Sequence, residues 1–586
     1  MNADNAQRAR QREAALTAQV SRDNLMEINT TLAQWVRNSG TPEERQAFDY
    51  MQQLLDGYGL ETTLLEHPAF ISYPLEASLT IWGGAGEPDV AVTCLGTAMS
   101  VSADALEAEV IDLGFGTAED YARAGQEVAG KIVLLNGLAT PTAVYAAEKA
   151  GSVGQIFIND DHLHYMIVSS VWGAPTPESA KRLPTTPSLS VVEEDGHDLR
   201  RRIAAGPVRV RLSTEVFREW TQTPILVAEL PGTESDDFVL FSGHLDSWEV
   251  GAMDNGAANA TMAEAARILS ANRQDLRRGL RIAFWSGHSH GRYSGSTWYV
   301  DHHWEELYDR CVAHVNVDST GARGATFYGA FPAHMEIAGF GEEIVQRYSD
   351  QEPHAHRMSR AGDMSFNGVG LPSLFMGLSQ VPTSEADTDY VSLAFGSLIG
   401  GKMPWWWHTS EDTIDKIDPD VLALDTQIYV SVLWNLCAQP LLPMDFRRVA
   451  ADIAETLADL QSAAGDHLDL SLTQQRATAL AEATAQLAER CAAATNAEAI
   501  DDTVKRLNAQ MMALSRILIP LTYTAAGQFE HDPAWGMPHL PALHDARRLI
   551  ALPADSDDFR HLQTQLVRAR NKVNIALRDA LRVLAE

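Results

Sequence analysis

The chain is poor in cysteine and in positive charge. Its 586 residues include four cysteines, Cys94, Cys311, Cys437 and Cys491, all far apart. No CxxC pair occurs, which argues against a cysteine-based zinc site and against a disulfide framework. Lys and Arg number 45 against 78 Asp and Glu, a formal charge of -33 at pH 7. Such a balance argues against nucleic acid and against anionic lipid as partners, because both require a surplus of cations. The first residues, Met1 to about Asp23, carry no apolar h-region of a secretory signal. No run approaches the roughly 18 apolar residues of a membrane helix. The expectation is a soluble, cytoplasmic protein without a membrane or nucleic-acid partner.

What is present is an ordinary globular composition, 45% hydrophobic and 21% charged, with length for two to four domains. Residues 1–84 open with helices. Leu25, Ile28, Leu32, Trp35 and Val36 recur at helical spacing, and Thr41-Pro42-Glu43-Glu44 starts a second helix. Residues 85–217 read as a small α/β or β-rich insert of short strands and turns. Residues 218–445 alternate strand and helix, which predicts a mainly parallel mixed sheet between helices. Residues 446–586 are rich in Ala and Leu at helical period and predict a helical C-terminal domain.

Four strand ends in the third segment hold metal-ligand residue types. In "FSGHLDSWEVGAMDNGAANA", His244 follows a buried strand, Asp246 stands two residues on, and Asp254 precedes a helix. Imidazole and carboxylate are zinc ligands, and Asp246 is placed to orient them; Asp254-Asn255 serves equally as a helix cap. Asp318 ends the strand of "AHVNVDSTG", where an Asp also forms turns. His408 lies in "PWWWHTSEDTIDKID", and a structural role suits it as well. In "IAFWSGHSHGRYSGSTWYV", His288 and His290 project the same way if the chain is extended there; they read otherwise as loop histidines. Arg292 and Trp407 are candidate substrate contacts, with surface and core roles as the alternatives, as are Trp405 and Trp406.

The ordered motifs H-x-D, D-N, W-S-G, N-x-D and H-T-x-x-D-T resemble those of the co-catalytic zinc peptidases that include aminopeptidases and glutamate carboxypeptidase II. "GDMSFNGVGLPS" echoes a family loop near the substrate through Asp363, Phe366, Gly370 and Pro372. Residues 85–217 resemble the protease-associated insert. "MALSRILIPLTYTAAGQFEHDP" is similar to the dimerisation domain of the transferrin receptor branch. The resemblance implies a homodimer with a zinc-exopeptidase-like fold and one or two divalent ions, zinc by family. His244, Asp254 and Asp318 would bind one ion, and Asp254 would bridge to a second held by His408.

The family's Glu-Glu pair, base and ligand, is missing. Counting from Trp285 puts His288 and Ser289 in its place; counting back from Gly295-Ser296 puts Ser289 and His290 there. Trp407 stands where the family usually has Tyr. The preferred assignment takes His290 as metal ligand and His288 as base, with Asp246 supporting the catalytic site. The reverse, or both histidines on one ion, stays open. The function expected is a metal-dependent hydrolase cleaving a peptide-like or N-acyl amide bond in a small substrate. The alternatives are a catalytically silent relative, as the transferrin receptor is, and a non-hydrolytic metal enzyme of cyclase or lyase type.

Overall fold

A computed structural model describes residues 3–83, 88–358, 365–376, 378–383, 401–495 and 497–585. Asp363 of the expected substrate loop lies outside them.

The strands are β1 (Glu61–Ile81), β2 (Val90–Val92), β3 (Cys94–Gly96), β4 (Ala103–Asp112), β5 (Ile132–Asn136), β6 (Gly154–Ile158), β7 (Ser188–Val191), β8 (Arg209–Leu230), β9 (Phe238–His244), β10 (Gly279–Trp285), β11 (Cys311–Asn316), β12 (Ala330–Ala333), β13 (His354–Arg357) and β14 (Ser373–Phe375). They form one connected sheet in the order β13-β12-β14-β11-β9-β10-β8-β4-β5-β6-β7-β3, with β1 paired along β8. Its centre is parallel: β10 with β9, β9 with β11, β11 with β14. Every residue of β9, β10 and β11 is buried. Both faces of these strands are covered, so their sequences are nearly continuous apolar runs rather than alternating ones. Helices Ala258–Ala271 and Pro419–Ala438 pack there. The second is long and apolar enough to cross a membrane, yet most of it is buried in the core. The mixed sheet between helices and the helical C-terminal region are as the sequence predicts.

Two strands join the central sheet to the insert. β1 and β8 pair antiparallel from Glu61–Glu229 to Ile81–Val210, with one register shift between Pro74 and Glu76. The inner end of β8 pairs with β10, and its outer end with β4. The expected boundary at 217/218 therefore falls inside a single strand. The insert's parallel strands β4 to β7 extend from this ribbon.

Local signals act as their chemistry requires. Thr41 caps helix Pro42–Gly57, its side chain accepting from Glu44 N, with Pro42 in the first turn. Asp418 caps Pro419–Ala438 in the same way. The C-terminal bundle holds helices Arg447–Ala464, Ser471–Ala494, Asp502–Tyr523 and Asp557–Ala585.

Candidate metal centre

The carboxyl ends of β9, β10 and β11 lie side by side, and the chain leaving each carries a candidate ligand. This is where open α/β sheets place ligands. His244 is the last residue of β9, and its Nδ1–H donates to the carbonyl of Asp246 at 2.8 Å. That contact fixes the tautomer and leaves the Nε2 lone pair facing Asp254 Oδ1 at 3.1 Å and Asp318 Oδ1 at 3.5 Å. His408 repeats the arrangement. Its Nδ1–H donates to the carbonyl of Tyr165 at 2.7 Å, and Nε2 faces Asp254 Oδ2 at 3.0 Å.

A lone pair pointed at a carboxylate oxygen is repulsive unless a proton or a metal lies between them. His244 Nε2 and Asp254 Oδ1 are both buried with no hydrogen-bonding partner. The donor set therefore fits divalent cations on the two sides of Asp254. Burial opposes the His244 imidazolium, but Asp318 and Asp254 outweigh it and raise its pKa well above the usual value. Asp254 is held far below the carboxylate range: burial acts the other way, but His244 and His408 prevail.

The loop after β10 differs from the extended form considered for the sequence. Gly287 adopts φ 75°, and His288–Gly291 form one helical turn. A Cβ at Gly287 would sit 2.0 Å from Ser294 Oγ, so glycine is required there. Residues two apart in a helix point about 200° apart, and the two histidines diverge. His288 joins the cluster. Its ring stacks on that of His244 with centroids 3.8 Å apart, and Nε2 lies 3.9 Å from Asp318 Oδ2. Candidate ligand atoms of His244, His288 and Asp318 all lie within 4.8 Å of one another. His290 turns inward and is fully buried. Its Nδ1 lies 3.0 Å from Ser39 Oγ and 3.4 Å from Asp246 Oδ2. The assignment of His290 as ligand and His288 as base thus meets a geometry of the opposite sense.

Asp246 is fully buried and works on backbone. Its carboxylate accepts from His288 N at 3.2 Å and Ser289 N at 2.9 Å, so it holds the turn that aims His288. Burial raises its pKa, but His290, His244 and His288 reverse this and keep it ionised. No part of its side chain reaches the surface.

Several contributors had no mark in the sequence reading. Arg37 is fully buried and donates to the carbonyls of Leu32, Trp35, Leu245, Val250 and Gly251, fixing the loop from His244 to Asp254. Burial lowers its pKa to about 10. Asp412 accepts from Met253 N at 2.8 Å and Asp254 N at 2.9 Å, and burial raises it to about 7. Its place in the H-T-x-x-D-T run was the available signal. Tyr165 comes from the insert. Besides holding His408, it stacks on Trp248 with centroids 5.3 Å apart. Trp407 lies against the His408 ring at 3.5 Å and is nearly buried. Trp405 is exposed and stacks on His162. Arg292 is buried, not on the surface, with Nη2 donating to the carbonyl of Ile167 at 2.7 Å.

The fold is a mixed α/β sheet between helices, and the residues around Asp254 form a candidate metal centre. Residues 226–432 match the model of peptidase family M28. Carboxypeptidase Q of Bos taurus is 26% identical over 277 residues, 45% of this chain and 58% of its own length. The chain thus spans less than two thirds of that relative. A probable glutamate carboxypeptidase of Zea mays is 23% identical over 496 residues, 72% of this chain and 68% of its own. The structure of BSAP, a zinc aminopeptidase from Bacillus subtilis, superposes with a TM-score of 0.51 at 18% identity, covering 71% of this chain and 95% of that one.

Proposed function

We propose that the protein is a metal-dependent hydrolase of amide bonds whose metal centre is asymmetric. The first position takes His244, Asp254, Asp318 and His288; the second takes Asp254 and His408. The observation that carries this reading is the pair of Nε2 lone pairs, on His244 and His408, aimed at opposite oxygens of Asp254. Among the described residues, the second position lacks the further carboxylate that the family's Glu-Glu pair would bring. It holds its ion more weakly, and one tightly bound zinc per chain is the expected resting state.

A bound divalent ion would supply Lewis acidity toward the scissile carbonyl and an acidified water. The chain supplies orientation. Asp246, Ser39 and His290 hold the turn that presents His288. The Tyr165 carbonyl holds His408, so the insert sets one ligand's direction. Side chains of His288, Asp318 and His408 are 14%, 13% and 14% exposed; they form the open edge a substrate meets, while His244 and Asp254 form its floor. That exposure also favours a second reading, with His288 as proton acceptor from water rather than ligand. The order of segments supports the glutamate carboxypeptidase and transferrin receptor branch, and with it a homodimer, which light scattering tests.

The enzyme reading is tested by loading the full chain with zinc and assaying a panel of dipeptides and N-acyl amino acids for release of free amine. Turnover that a chelator abolishes and zinc restores supports it. Zinc bound without cleavage of any panel member supports the silent relative instead.

A further inference from the structure

The insert meets the segment of His408 through the loop 159–167, which leaves the carboxyl end of β6. The loop's shape is fixed from the insert's own side. Asn159 Oδ1 accepts from His164 N at 3.1 Å, and Asn159 Nδ2 donates to the Gly137 carbonyl at 3.1 Å. The Asp160 carbonyl accepts from Glu193 N, and the Asp160 carboxylate accepts from His162 N at 2.9 Å. From this frame His164 reaches across to the neighbouring chain. Its side chain is fully buried. Nδ1–H donates to the Trp407 carbonyl at 2.7 Å, and Nε2 faces Asp160 Oδ1 at 3.3 Å. Both ring nitrogens are engaged, so the ring cannot turn without stranding a buried polar atom. Burial works against the Asp160 carboxylate, but His164 and His162 prevail and hold it below the ordinary carboxylate range.

The next residue completes the grip. Tyr165 N donates to the His408 carbonyl at 2.7 Å, and His408 Nδ1–H donates to the Tyr165 carbonyl at 2.7 Å. Two consecutive residues of the insert thus hold Trp407 and His408 at three points. His408 needs that support. Its φ is 59°, in the left-handed region that a residue with a Cβ keeps only where its surroundings impose it. The other candidate ligands are placed differently. His244 is fixed by the Asp246 carbonyl, Asp254 by Asp412, and the turn of His288 by the Asp246 carboxylate. Those supports come from the central sheet's own loops. The support of His408 comes from another part of the chain.

We propose that Asp160 and His164 are positioning residues for His408, so that the second metal position is complete only while the insert's loop is docked. This rests on the two-position reading of the centre given above. Asp160 aims the His164 ring, and His164 fixes the Trp407 carbonyl, which lies in the peptide plane leading into His408. Tyr165 then sets the His408 carbonyl and the direction of its ring. With the loop undocked, His408 is free to relax out of the left-handed region, which turns Nε2 away from Asp254. The first position keeps His244, Asp254, Asp318 and His288. The coupling is reciprocal: an ion held between Asp254 and His408 favours docking of the loop by as much as docking favours the ion.

The experiment strips the full chain of metal and titrates zinc into it by equilibrium dialysis, for wild type, His164→Leu, His164→Asn and Asp160→Asn. His164→Leu should bind the second zinc at least about tenfold more weakly and the first as wild type does. His164→Asn keeps an N–H donor near the place of Nδ1 and should recover most of that affinity. Asp160→Asn should fall between wild type and His164→Leu. The first zinc is the internal control, because a general loss of structure weakens both ions. In wild type, hydrogen exchange at the Tyr165 amide should slow when the second zinc binds and not when the first does. Equal weakening of both ions in His164→Leu, an unchanged second affinity, or exchange at Tyr165 indifferent to the second zinc overturns the proposal and leaves the two-position centre standing. A wild type that never takes up a second zinc overturns the two-position centre, and the proposal with it.

Discussion

The imidazole of His288 lies flat on that of His244, their centroids 3.8 Å apart and their planes within 7°. Two rings so placed direct their Nε2 atoms toward the two oxygens of Asp318. In the proposed centre this histidine stands where the peptidases that the sequence resembles carry a glutamate, which would lower the negative charge around the cations by one unit. The consequences are measurable.

Chelation should destabilise the whole domain. The metal binds the folded chain and holds apart carboxylates and lone pairs that otherwise oppose one another. At a free zinc concentration about a hundred times its dissociation constant, the stabilisation is roughly 2.7 kcal/mol. Differential scanning calorimetry with and without a chelator should show a fall in Tm that added zinc reverses. An unchanged Tm would mean that the centre holds no ion.

Arg37→Met should lower both stability and metal affinity. It removes donors from five carbonyls, three of them in the loop from His244 to Asp254. The expected loss is on the order of 3 kcal/mol in chemical denaturation. A variant as stable as wild type, with unaltered zinc affinity, would remove Arg37 from the account.

Asp425 should make stability fall as pH rises. It accepts from Gly321 N and from the Tyr328 hydroxyl, and burial raises its pKa from the ordinary carboxylate value to about 7. Between about pH 4 and 7 the folded chain holds this proton and the unfolded chain does not, so each step up in pH costs stability. Above pH 7 the cost is complete, up to about 4 kcal/mol for three pKa units. Relative to Asp425→Asn, wild type should lose stability between pH 5 and pH 8. Parallel pH profiles for the two proteins would contradict this.

Much of the centre was legible in the sequence because its ligands sit at the ends of apolar runs. His244 ends one strand buried on both faces and Asp318 stands two residues past another, and such strands announce themselves by composition. The His288–His290 pair was not legible in the same way. Whether two residues spaced by one face together depends on the local backbone, and a helical turn held by Asp246 separated them. Arg37 gave no signal because its partners are backbone carbonyls, which any sequence provides. The length of β1 and β8 was hidden as well. Pro68, Pro74 and several charges break the apolar alternation of β1, and the two strands support one another over a ribbon far longer than the usual five or six residues. The domain boundary was therefore drawn through β8.

The most direct test is the zinc content of His288→Ala and His290→Ala, each purified in parallel with wild type and titrated with zinc. His288→Ala should bind its first zinc at least about tenfold more weakly, with the fold intact by circular dichroism. His290→Ala should melt at a lower temperature, because it empties a buried site against Asp246 and Ser39, yet should keep zinc. Loss of zinc from His290→Ala with full retention in His288→Ala would contradict the account.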